Sequence, residues 1–309
     1  MYKAGQKNQP VILYGAGYRG GRNFCALAVE NVHVEAFCDR DAESIPLYYG
    51  CEVYTMEQAV QQFWHLPFIL CLDNTESRET VYAMLQEKKI EVYKDIRSYY
   101  TGENDADIKT ICCGDKATFQ VAPSFWDRKE CVTAFSFGIG FDFSFEKELA
   151  EKYDVNVFAF DPSPEVVRSM KEEKLPDNLK YYPYGLSDKD EKKTFYLPSS
   201  GQDYSEYFAS WTGKNTVELQ VYRLKTLMDM FGCSKLDLLK MDVEGSEFLA
   251  MPEILDSGVQ FDQLCIETHA RIFPNSVEVM RNFKKMMLQH GYALISNGLE
   301  EQTYIRKDK

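Results

Sequence analysis

The chain has 309 residues, 45% of them hydrophobic, and it is long enough for two domains that each bury a core. Its 48 acidic side chains outnumber its 35 basic ones, and the formal charge of -13 repels nucleic-acid phosphates and anionic membrane surfaces. The amino-terminal MYKAGQKNQP lacks the apolar core of a signal peptide, and no apolar run reaches the roughly 20 residues that cross a bilayer. We therefore expect a cytoplasmic protein with no membrane span and no nucleic-acid partner.

Strands and helices alternate in the first part of the chain. The predicted strands are VILYG, VEAFCD, PFILCLDN and IEVYKD, and the predicted helices are RNFCALAVE and TESRETVYAMLQEKK. Alternation of this kind predicts a small parallel sheet with helical crossovers. We assign residues 1–104 to a Rossmann-like α/β domain, which is too short for a complete two-half dinucleotide fold.

A second and longer series follows the polar stretch TGENDADIKT. Its predicted strands are CVTAFSFG, VNVFAFD, LKYYPYG, LDLLKMD and QLCIETH, and its predicted helices are FSFEKELAEKYD, SPEVVRSMKEEK, RLKTLMDMFG and SVEVMRNFKKMMLQHG. The short polar link NGLEE joins YALIS to QTYIRK, which predicts an antiparallel hairpin at the edge of the sheet. Residues 105–309 are thus expected to form a second doubly wound α/β domain.

The first glycine loop, in VILYGAGYRGGRN, completes a nucleotide-binding pattern. Gly15, Gly17 and Gly20 form G-x-G-x-x-G between a strand and a helix, and Asp39 stands where an acid meets ribose hydroxyls. The motif YGAGYRG, together with FCDRD, FILCLDN and IEVYKDI, resembles the small nucleotide-sugar-binding domains that precede certain bacterial sugar acyltransferases. That resemblance implies a uridine-diphosphate sugar as ligand, while an empty Rossmann scaffold and an NAD site stay open as alternatives.

The second glycine loop, SFGIGFD, has Gly138 and Gly140 but no third glycine, so a pyrophosphate site is less favoured there. Glycine has no Cβ and lets a ligand approach the backbone closely. S-adenosylmethionine needs a glycine turn for its amino-acid part and an acid after the second strand for its ribose. Asp161 holds that second place, with Ser163 as a plausible N-cap and Pro164 as a first helical residue behind it.

Five blocks of the second domain agree in order and spacing with a known family. They are SFGIGFDFSF, FDPSP, YPYGLS, LDLLKMDVEGSE and LCIETH, and they resemble the FkbM-type S-adenosylmethionine-dependent methyltransferases. The resemblance covers about residues 105 to 309 and implies a class I methyltransferase sheet with S-adenosylmethionine as cofactor. It also implies that the glycine pair lies against the methionine part of the cofactor, that Asp161 binds its ribose, and that residues 184–187 flank its adenine. The implied cofactor site consists of Phe137, Gly138, Gly140, Asp142, Asp161, Pro162, Ser163, Gly185, Leu186 and Ser187.

Acids and a histidine are expected to converge where the fourth and fifth strands of the second domain end. Asp242 ends LDLLKMD, while Glu267 and His269 close QLCIETH and share one side by alternation. Methyl transfer from a sulfonium to an alcohol is an in-line displacement that removal of the hydroxyl proton assists. A neutral His269 is the expected base, Glu267 is an expected orienting residue, and Asp242 orients the histidine, accepts the proton or holds the cofactor's ammonium.

The sequence gives weaker evidence for metal sites, for disulfide bonds and for a segment that covers the cleft. The histidines and acids show no diagnostic metal-ligand spacing, and nine cysteines without a C-x-x-C pair predict neither a zinc site nor a disulfide framework. No metal site is therefore predicted, but the two or three carboxylates and the histidine could hold a hard divalent cation such as magnesium, and that alternative stays open. The aromatic stretch GQDYSEYFASWTG, residues 201–213, is long enough to cover the cleft.

The sequence as a whole predicts an S-adenosylmethionine-dependent O-methyltransferase. Its expected acceptor is a small-molecule or glycan hydroxyl, specifically a sugar hydroxyl in glycan or glycoconjugate biosynthesis, with a nucleotide sugar as a candidate partner. Two alternatives remain at this point: an NAD-linked sugar oxidoreductase that uses the first glycine loop, and a non-catalytic nucleotide-sugar-binding protein. Nothing in the sequence sets the oligomeric state.

Overall fold

The computed structural model describes residues 9–100, 104–116, 118–123, 131–196, 205 and 216–307. The chain divides by its contacts into two compact units, Met1–Glu103 with Phe273–Arg281 and Asn104–Ile272 with Asn282–Lys309. The short segment Phe273–Arg281 therefore groups with the first unit, whereas the sequence analysis assigned it to the second domain. Among the described residues, no helix is both long and apolar enough to cross a membrane.

The first unit is built on a mainly parallel six-stranded sheet. Its strands are β1 (Val11–Tyr14), β2 (Val34–Cys38), β3 (Leu47–Tyr48), β4 (Cys51–Tyr54), β5 (Phe68–Leu70) and β6 (Val92–Tyr93). Its helices are α1 (Tyr18–Val29), α2 (Met56–Phe63), α3 (Thr75–Glu87) and α4 (Ile96–Tyr99). The strand order is β3-β4-β2-β1-β5-β6, and only the pair β3 and β4 is antiparallel. The central strand β1 is apolar on both faces because helices cover both sides of such a sheet.

The second unit has a seven-stranded main sheet. Its strands up to the end of the small sheet are β7 (Ile111–Cys113), β8 (Phe119–Val121), β9 (Thr133–Phe137), β10 (Asn156–Phe160), β11 (Leu179–Tyr182), β12 (Gly185–Leu186), β13 (Glu191–Tyr196) and β14 (Thr216–Tyr222). The remaining strands are β15 (Leu236–Met241), β16 (Phe261–Glu267), β17 (Tyr292–Gly298) and β18 (Glu301–Arg306). The main sheet runs β11-β10-β9-β15-β16-β18-β17, with β12-β14-β13 as a separate small sheet and β7-β8 as a hairpin.

Helices connect the parallel strands of the second unit. They are α5 (Ser144–Tyr153), α6 (Pro164–Ser169), α7 (Leu224–Met230), α8 (Glu247–Asp256) and α9 (Ser276–Gln289), with a 3-10 turn at Ala270–Ile272. Residues 276–281 of α9 group with the first unit. The strand order reverses between β9 and β15, so ligands are expected at the carboxyl ends of these two strands. Buried side chains of β9, β10 and α5 form the largest share of one core cluster beneath that edge.

The predicted α/β fold class is confirmed, with parallel strands in both sheets and an antiparallel β17–β18 hairpin at the carboxyl end. Several elements were missed by the sequence reading: β3, β4, α2 and α4 in the first unit, and the pair β7–β8, the small sheet and α8 in the second unit. The strand β13 reads EKKTFY with an exposed and charged first half, so it shows no apolar alternation. The helix α6 ends at Ser169, earlier than predicted, because the lysines and glutamates that follow have no apolar face to bury.

Candidate active site

The second glycine loop leaves the carboxyl end of β9 and is shaped by close backbone contacts. The Gly138 N–H donates to the Phe160 carbonyl at 2.9 Å, and the φ of Gly138 is +73°. A Cβ added there would lie 1.7 Å from the Asp242 carbonyl oxygen. Any residue other than glycine would therefore push β9 away from the end of β15. Gly140 has a φ of +57°, and no atom lies within 4 Å of a Cβ added there. A glycine is therefore favoured at this position by the left-handed backbone conformation and not by close packing.

Asp161, which follows β10, holds this loop with its carboxylate. Its Oδ2 accepts the Gly140 N–H at 3.0 Å, and its Oδ1 accepts the Ser163 N–H at 2.9 Å. The side chain is almost completely buried. A carboxylate has about four acceptor positions, so each oxygen retains capacity for a further donor. The expected ribose acid is thus rigidly placed beside the glycine turn.

A cavity of about 270 Å³ opens at this edge of the sheet. Nine of the predicted cofactor residues line it: Phe137, Gly138, Gly140, Asp142, Asp161, Pro162, Ser163, Gly185 and Leu186. Tyr184, expected beside the adenine, and Asp242 also line it. The rest of its wall consists of residues that the sequence analysis did not assign to the cofactor: Ile139, Phe141, Phe160, Val166, Phe195, Leu219, Lys240, Val243, Glu244 and Ser246. Of these, Phe195 and Leu219 come from the small sheet, whose position against the loop no local pattern signals.

Ser187 is the predicted cofactor residue that does not line the cavity. It is buried, its N–H donates to the Tyr222 carbonyl at 3.0 Å, and its Oγ lies 3.1 Å from Asp188 Oδ1. The Lys193 ammonium donates to the same hydroxyl at 3.3 Å. The expected adenine contact from Ser187 is therefore replaced in this structure by contacts within the protein, because the backbone turns its side chain into the small sheet.

Asp242 brings a carboxylate to the cavity from the end of β15. Its N–H donates to the Phe137 carbonyl at 3.1 Å, which fixes its backbone beside the glycine loop. Burial raises the pKa of Asp242, and the charges of Lys240 and His269 act in the opposite direction. The Lys240 ammonium lies 3.8 Å from Asp242 Oδ2 and donates to the Gly138 carbonyl at 2.7 Å. Lys240 thus contacts the residues that follow both β9 and β15.

His269 lies two residues beyond β16 and its side chain is only 1% exposed. Its backbone N–H donates to Glu247 Oε1 at 2.6 Å, and its Nδ1 lies 3.2 Å from the same oxygen. Its Nε2 faces three further acids, Glu244 Oε1 at 3.5 Å, Asp242 Oδ1 at 3.8 Å and Glu267 Oε1 at 3.9 Å. The structure therefore brings the three predicted catalytic residues together, as expected from the strand ends.

The expected role of His269 as a neutral base is not favoured by its surroundings. Burial lowers the pKa of His269, but the attraction and hydrogen bonds of Glu244 and Glu247 outweigh burial and hold that pKa well above its ordinary value. The neighbouring carboxylates therefore favour the protonated form of the ring, which has no free electron pair to accept a proton. Neither His269 nor Glu267 is part of the cavity wall, whereas Asp242 is.

Two acids of the VEGSE segment are important to the site and were not assigned to it by the sequence analysis. Glu247 is completely buried, and its Oε2 accepts the Gly245 N–H at 2.8 Å. Glu244 has a φ of +50°, a backbone conformation that residues other than glycine rarely adopt. The paired acids around Gly245 were the available signal, but a turn with a helix cap explains such a pattern equally well.

Ser205 is the one residue of the aromatic stretch 201–213 that the structure describes. It pairs with Tyr196 at the end of β13 through two backbone hydrogen bonds of 2.9 and 3.1 Å. Its Oγ donates to the Glu244 carbonyl at 2.6 Å. The expectation that this stretch covers the cleft otherwise lies outside the described residues.

The acids and the histidine also form a group with metal-ligand character. Asp242, Glu244 and His269 each offer one donor atom, and these atoms lie within 4.8 Å of one another. The sequence analysis predicted no metal site because no two of these residues have diagnostic spacing along the chain. The juxtaposition arises from two neighbouring strand ends rather than from one local motif.

The first glycine loop has its own close contacts. Gly15, at φ +118°, would place a Cβ 2.8 Å from the Cys71 carbonyl oxygen, and a Cβ on Gly20 would lie 2.0 Å from the Gly15 carbonyl oxygen. Gly17, directly before α1, has an ordinary φ of -109° and no atom within 4 Å of an added Cβ. Backbone packing therefore requires the first and third glycines, while Gly17 borders open space.

Asp39 follows β2 and holds this loop. Its Oδ2 accepts the Ala16 N–H at 2.7 Å and its Oδ1 accepts the Asp41 N–H at 2.9 Å. The acid predicted to meet ribose hydroxyls thus stands beside the glycine turn, as Asp161 does in the second unit.

Comparison with known proteins assigns most of the second unit to a family. The family model described as Methyltransferase FkbM domain matches residues 131–294. Among solved structures, the chain is similar to the crystal structure of a methyltransferase FkbM from Methylobacillus flagellatus KT, with 11% identity and a TM-score of 0.40. That similarity covers 96% of this chain and 90% of the other. A search of curated proteins finds no match.

Proposed function

Because this chain belongs to the FkbM methyltransferase family, and is a methyltransferase on that ground, we propose that it methylates a sugar hydroxyl with S-adenosylmethionine as donor. The proposed setting is glycan or glycoconjugate biosynthesis. The observation that carries the proposal is the cradle of Gly138, Gly140 and Asp161, which lines a cavity that Asp242 and Glu244 also line. When bound, S-adenosylmethionine supplies a methyl group on a positively charged sulfur.

One end of the cavity fits the nucleoside and amino-acid parts of such a donor. Asp161 presents oxygens that are already aligned by Gly140 and Ser163, and ribose hydroxyls are donors of the kind that a carboxylate accepts. The glycine backbone leaves room for close approach of the methionine part. Apolar walls from Leu186 and Phe195 suit the flat face of adenine.

The other end of the cavity presents acids to the acceptor. We infer that Asp242 receives the hydroxyl proton, because its carboxylate lines the cavity and its backbone is fixed to the end of β9. His269 and Glu267 lie behind it and position it, with His269 held in turn by the buried Glu247. Alignment of the hydroxyl with the methyl group and removal of its proton are the two contributions that an in-line transfer needs.

For the first unit we propose a nucleotide-sugar site that presents the acceptor. Gly17 supports it, because neither its φ nor its packing requires a glycine, so the absent side chain keeps the start of α1 open to a ligand. The helix has 12 residues, and the N–H groups of its first turn suit phosphate oxygens. Asp39 stands ready for ribose hydroxyls.

Calorimetric titration of the full chain tests these assignments. S-adenosylhomocysteine should bind with one site, and Asp161→Asn should weaken that binding at least tenfold. Binding of NAD with no binding of S-adenosylhomocysteine would overturn the proposal in favour of an oxidoreductase. Binding of a uridine-diphosphate sugar alone, again without the sulfur ligand, would indicate a non-catalytic nucleotide-sugar protein. The methylated product is then identified by mass spectrometry of candidate sugar acceptors.

A further inference from the structure

We propose that Asp242, Glu244 and His269 bind one divalent metal cation at the acidic end of the cavity. Their donor atoms lie within 4.8 Å of one another, and they come from the loop after β15 and the loop after β16. The inference deepens the proposed function, since the same end of the cavity receives the acceptor hydroxyl. Metal binding is nevertheless measured by itself, without donor or acceptor.

The distances around His269 Nε2 are those of ligands that surround an ion. Glu244 Oε1 lies at 3.5 Å, Asp242 Oδ1 at 3.8 Å and Glu267 Oε1 at 3.9 Å. Ligands bound about 2.1 Å from a common ion are separated by about 3.0 Å when adjacent and about 4.2 Å when opposite. The separations from His269 Nε2 to the two proposed carboxylate ligands, Glu244 and Asp242, fall between these two limits, and the chosen donor atoms of all three residues lie within 4.8 Å of one another.

Glu247 provides an independent observation, because it orients the histidine ring for ligation. Its carboxylate is completely buried, its Oε2 accepts the Gly245 N–H, and its Oε1 lies 3.2 Å from His269 Nδ1. A histidine that binds a metal almost always donates its other ring N–H to a carboxylate or carbonyl. The buried ring, 1% exposed, is thereby aimed with Nε2 toward Asp242 and Glu244.

The charges around this point also favour a cation. Four carboxylates meet the ring or stand beside it: Asp242, Glu244, Glu247 and Glu267. The ammonium of Lys240 lies 3.8 Å from Asp242 Oδ2, on the side away from the histidine, and is occupied with the Gly138 carbonyl. Even with His269 protonated, these negative charges exceed the positive ones by two. Buried charge of one sign is costly unless it is paired or coordinates a metal.

The donor set points to a cation that accepts both oxygen and nitrogen. Carboxylates suit Mg²⁺ and Mn²⁺, and an imidazole suits later transition metals, so Mn²⁺ is a probe that tolerates both. Binding would release the proton from His269 Nε2 to solvent. Asp242 Oδ1 would face the ion, and its Oδ2 would remain on the cavity side for the acceptor.

Mn²⁺ binding is tested on the full chain after removal of metals with a chelator. Electron paramagnetic resonance of free Mn²⁺ should reveal one site, and Glu244→Gln and His269→Gln should each weaken it at least tenfold. Spin-echo modulation from an imidazole nitrogen should be present in the wild type and absent in His269→Gln. The matched controls His290→Gln and Glu172→Gln, at exposed positions, should bind Mn²⁺ like the wild type.

Wild-type Mn²⁺ affinity in Glu244→Gln, or no binding to the wild type at millimolar Mn²⁺, would overturn the proposed site. Because Glu244 is partly exposed, this variant tests the site even if the buried His269→Gln fails to fold. S-adenosylhomocysteine is titrated into the same samples. Binding of that ligand without Mn²⁺ binding would reject the metal site alone, whereas Mn²⁺ binding without it would reject the proposed methyl donor.

Discussion

The two glycine loops share one hydrogen-bond framework although they belong to different units. In each, the first glycine donates its N–H to the last residue of the second strand, Gly15 to Cys38 at 2.7 Å and Gly138 to Phe160 at 2.9 Å. In each, the acid after that strand accepts one N–H from the loop and one from the residue two positions beyond itself. A Rossmann-like turn is therefore built twice with nearly the same backbone contacts.

The loops differ in what the neighbouring strand brings to them. The residue against Gly138 is Asp242, a carboxylate at the edge of the cavity, while the residue against Gly15 is Cys71. Burial raises the pKa of the Cys71 thiol to about 12, so it stays neutral. The next acid of the first unit, Asp73, forms an ion pair with Arg19 at 2.6 Å.

The helices that follow the two loops also differ in the charge of the side chain that they bury beside the loop. Glu146 and Asn23 each lie eight residues after the first glycine of their loop and are buried. Asn23 donates a neutral hydrogen bond to Cys71 Sγ, whereas Glu146 accepts from the Ser136 hydroxyl and interacts with Lys240. The comparison teaches that one backbone framework carries neutral groups beside the first loop and ionisable groups beside the second.

The largest expected effect comes from Gly138→Ala. The added Cβ would meet the Asp242 carbonyl at 1.7 Å and adopt a left-handed φ, so we expect a loss of about 3 kcal/mol or more in stability and no binding of S-adenosylhomocysteine. Urea unfolding and calorimetry measure the two effects. The control Gly140→Ala, with open space around the Cβ, should cost only about 1–2 kcal/mol. Equal stability of Gly138→Ala and the wild type would contradict the close contact.

The next largest effect should distinguish Asp161 in the second unit from Asp39 in the first. Asp161→Asn places an amide donor against the N–H of Gly140 or Ser163, so we expect about 1–3 kcal/mol of lost stability and at least tenfold weaker binding of S-adenosylhomocysteine. Asp39→Asn should cost a similar amount in stability with unchanged affinity for that ligand. If Asp39→Asn weakened its binding equally, the assignment of the donor to the second loop would be wrong.

A smaller effect concerns pH. Burial raises the pKa of Glu146 above its ordinary 4.5, while Lys240 and Ser136 oppose the shift. The folded state then binds more protons than the unfolded state, so stability should fall as pH rises from 4.5 through the raised pKa. Glu146→Gln should lose this decline, and Asn23→Asp in α1, the helix after the first loop, should introduce one. Urea unfolding measures the free energy of unfolding across this pH range. If that free energy fell with pH in Glu146→Gln as steeply as in the wild type, the prediction would be wrong.

The smallest expected change in stability is at Gly17. Gly17 has an ordinary φ, and a Cβ added there would lie in open space. The substitution Gly17→Ala should therefore change the free energy of unfolding by less than about 1 kcal/mol. The methyl group would nevertheless stand where a phosphate approaches α1, and affinity for a uridine-diphosphate sugar should fall with no change for S-adenosylhomocysteine. Calorimetry with both ligands checks this, and unaltered nucleotide-sugar affinity would leave the first loop without a role in binding.

The sequence by itself determined the two α/β series, both glycine loops, the acids that follow the second strands and the family of the second unit. These features depend on side-chain periodicity and on short motifs, which local physics imposes on every such chain. Asp242, Glu267 and His269 were also predicted to converge, because parallel strands end at one edge of a sheet.

Only the tertiary structure decided what each of these residues touches. Glu247 and His269 are 22 positions apart in the chain, and their contact exists because β15 and β16 are neighbours in the sheet. The same contact contributes to the electrostatic surroundings of His269, where the carboxylates of Glu244 and Glu247 outweigh the effect of burial and raise the pKa of the ring. Ser187 turns away from the cavity, and Phe195 enters its wall, through pairings of the small sheet. Such charges and orientations depend on strand order and packing, which no local pattern encodes.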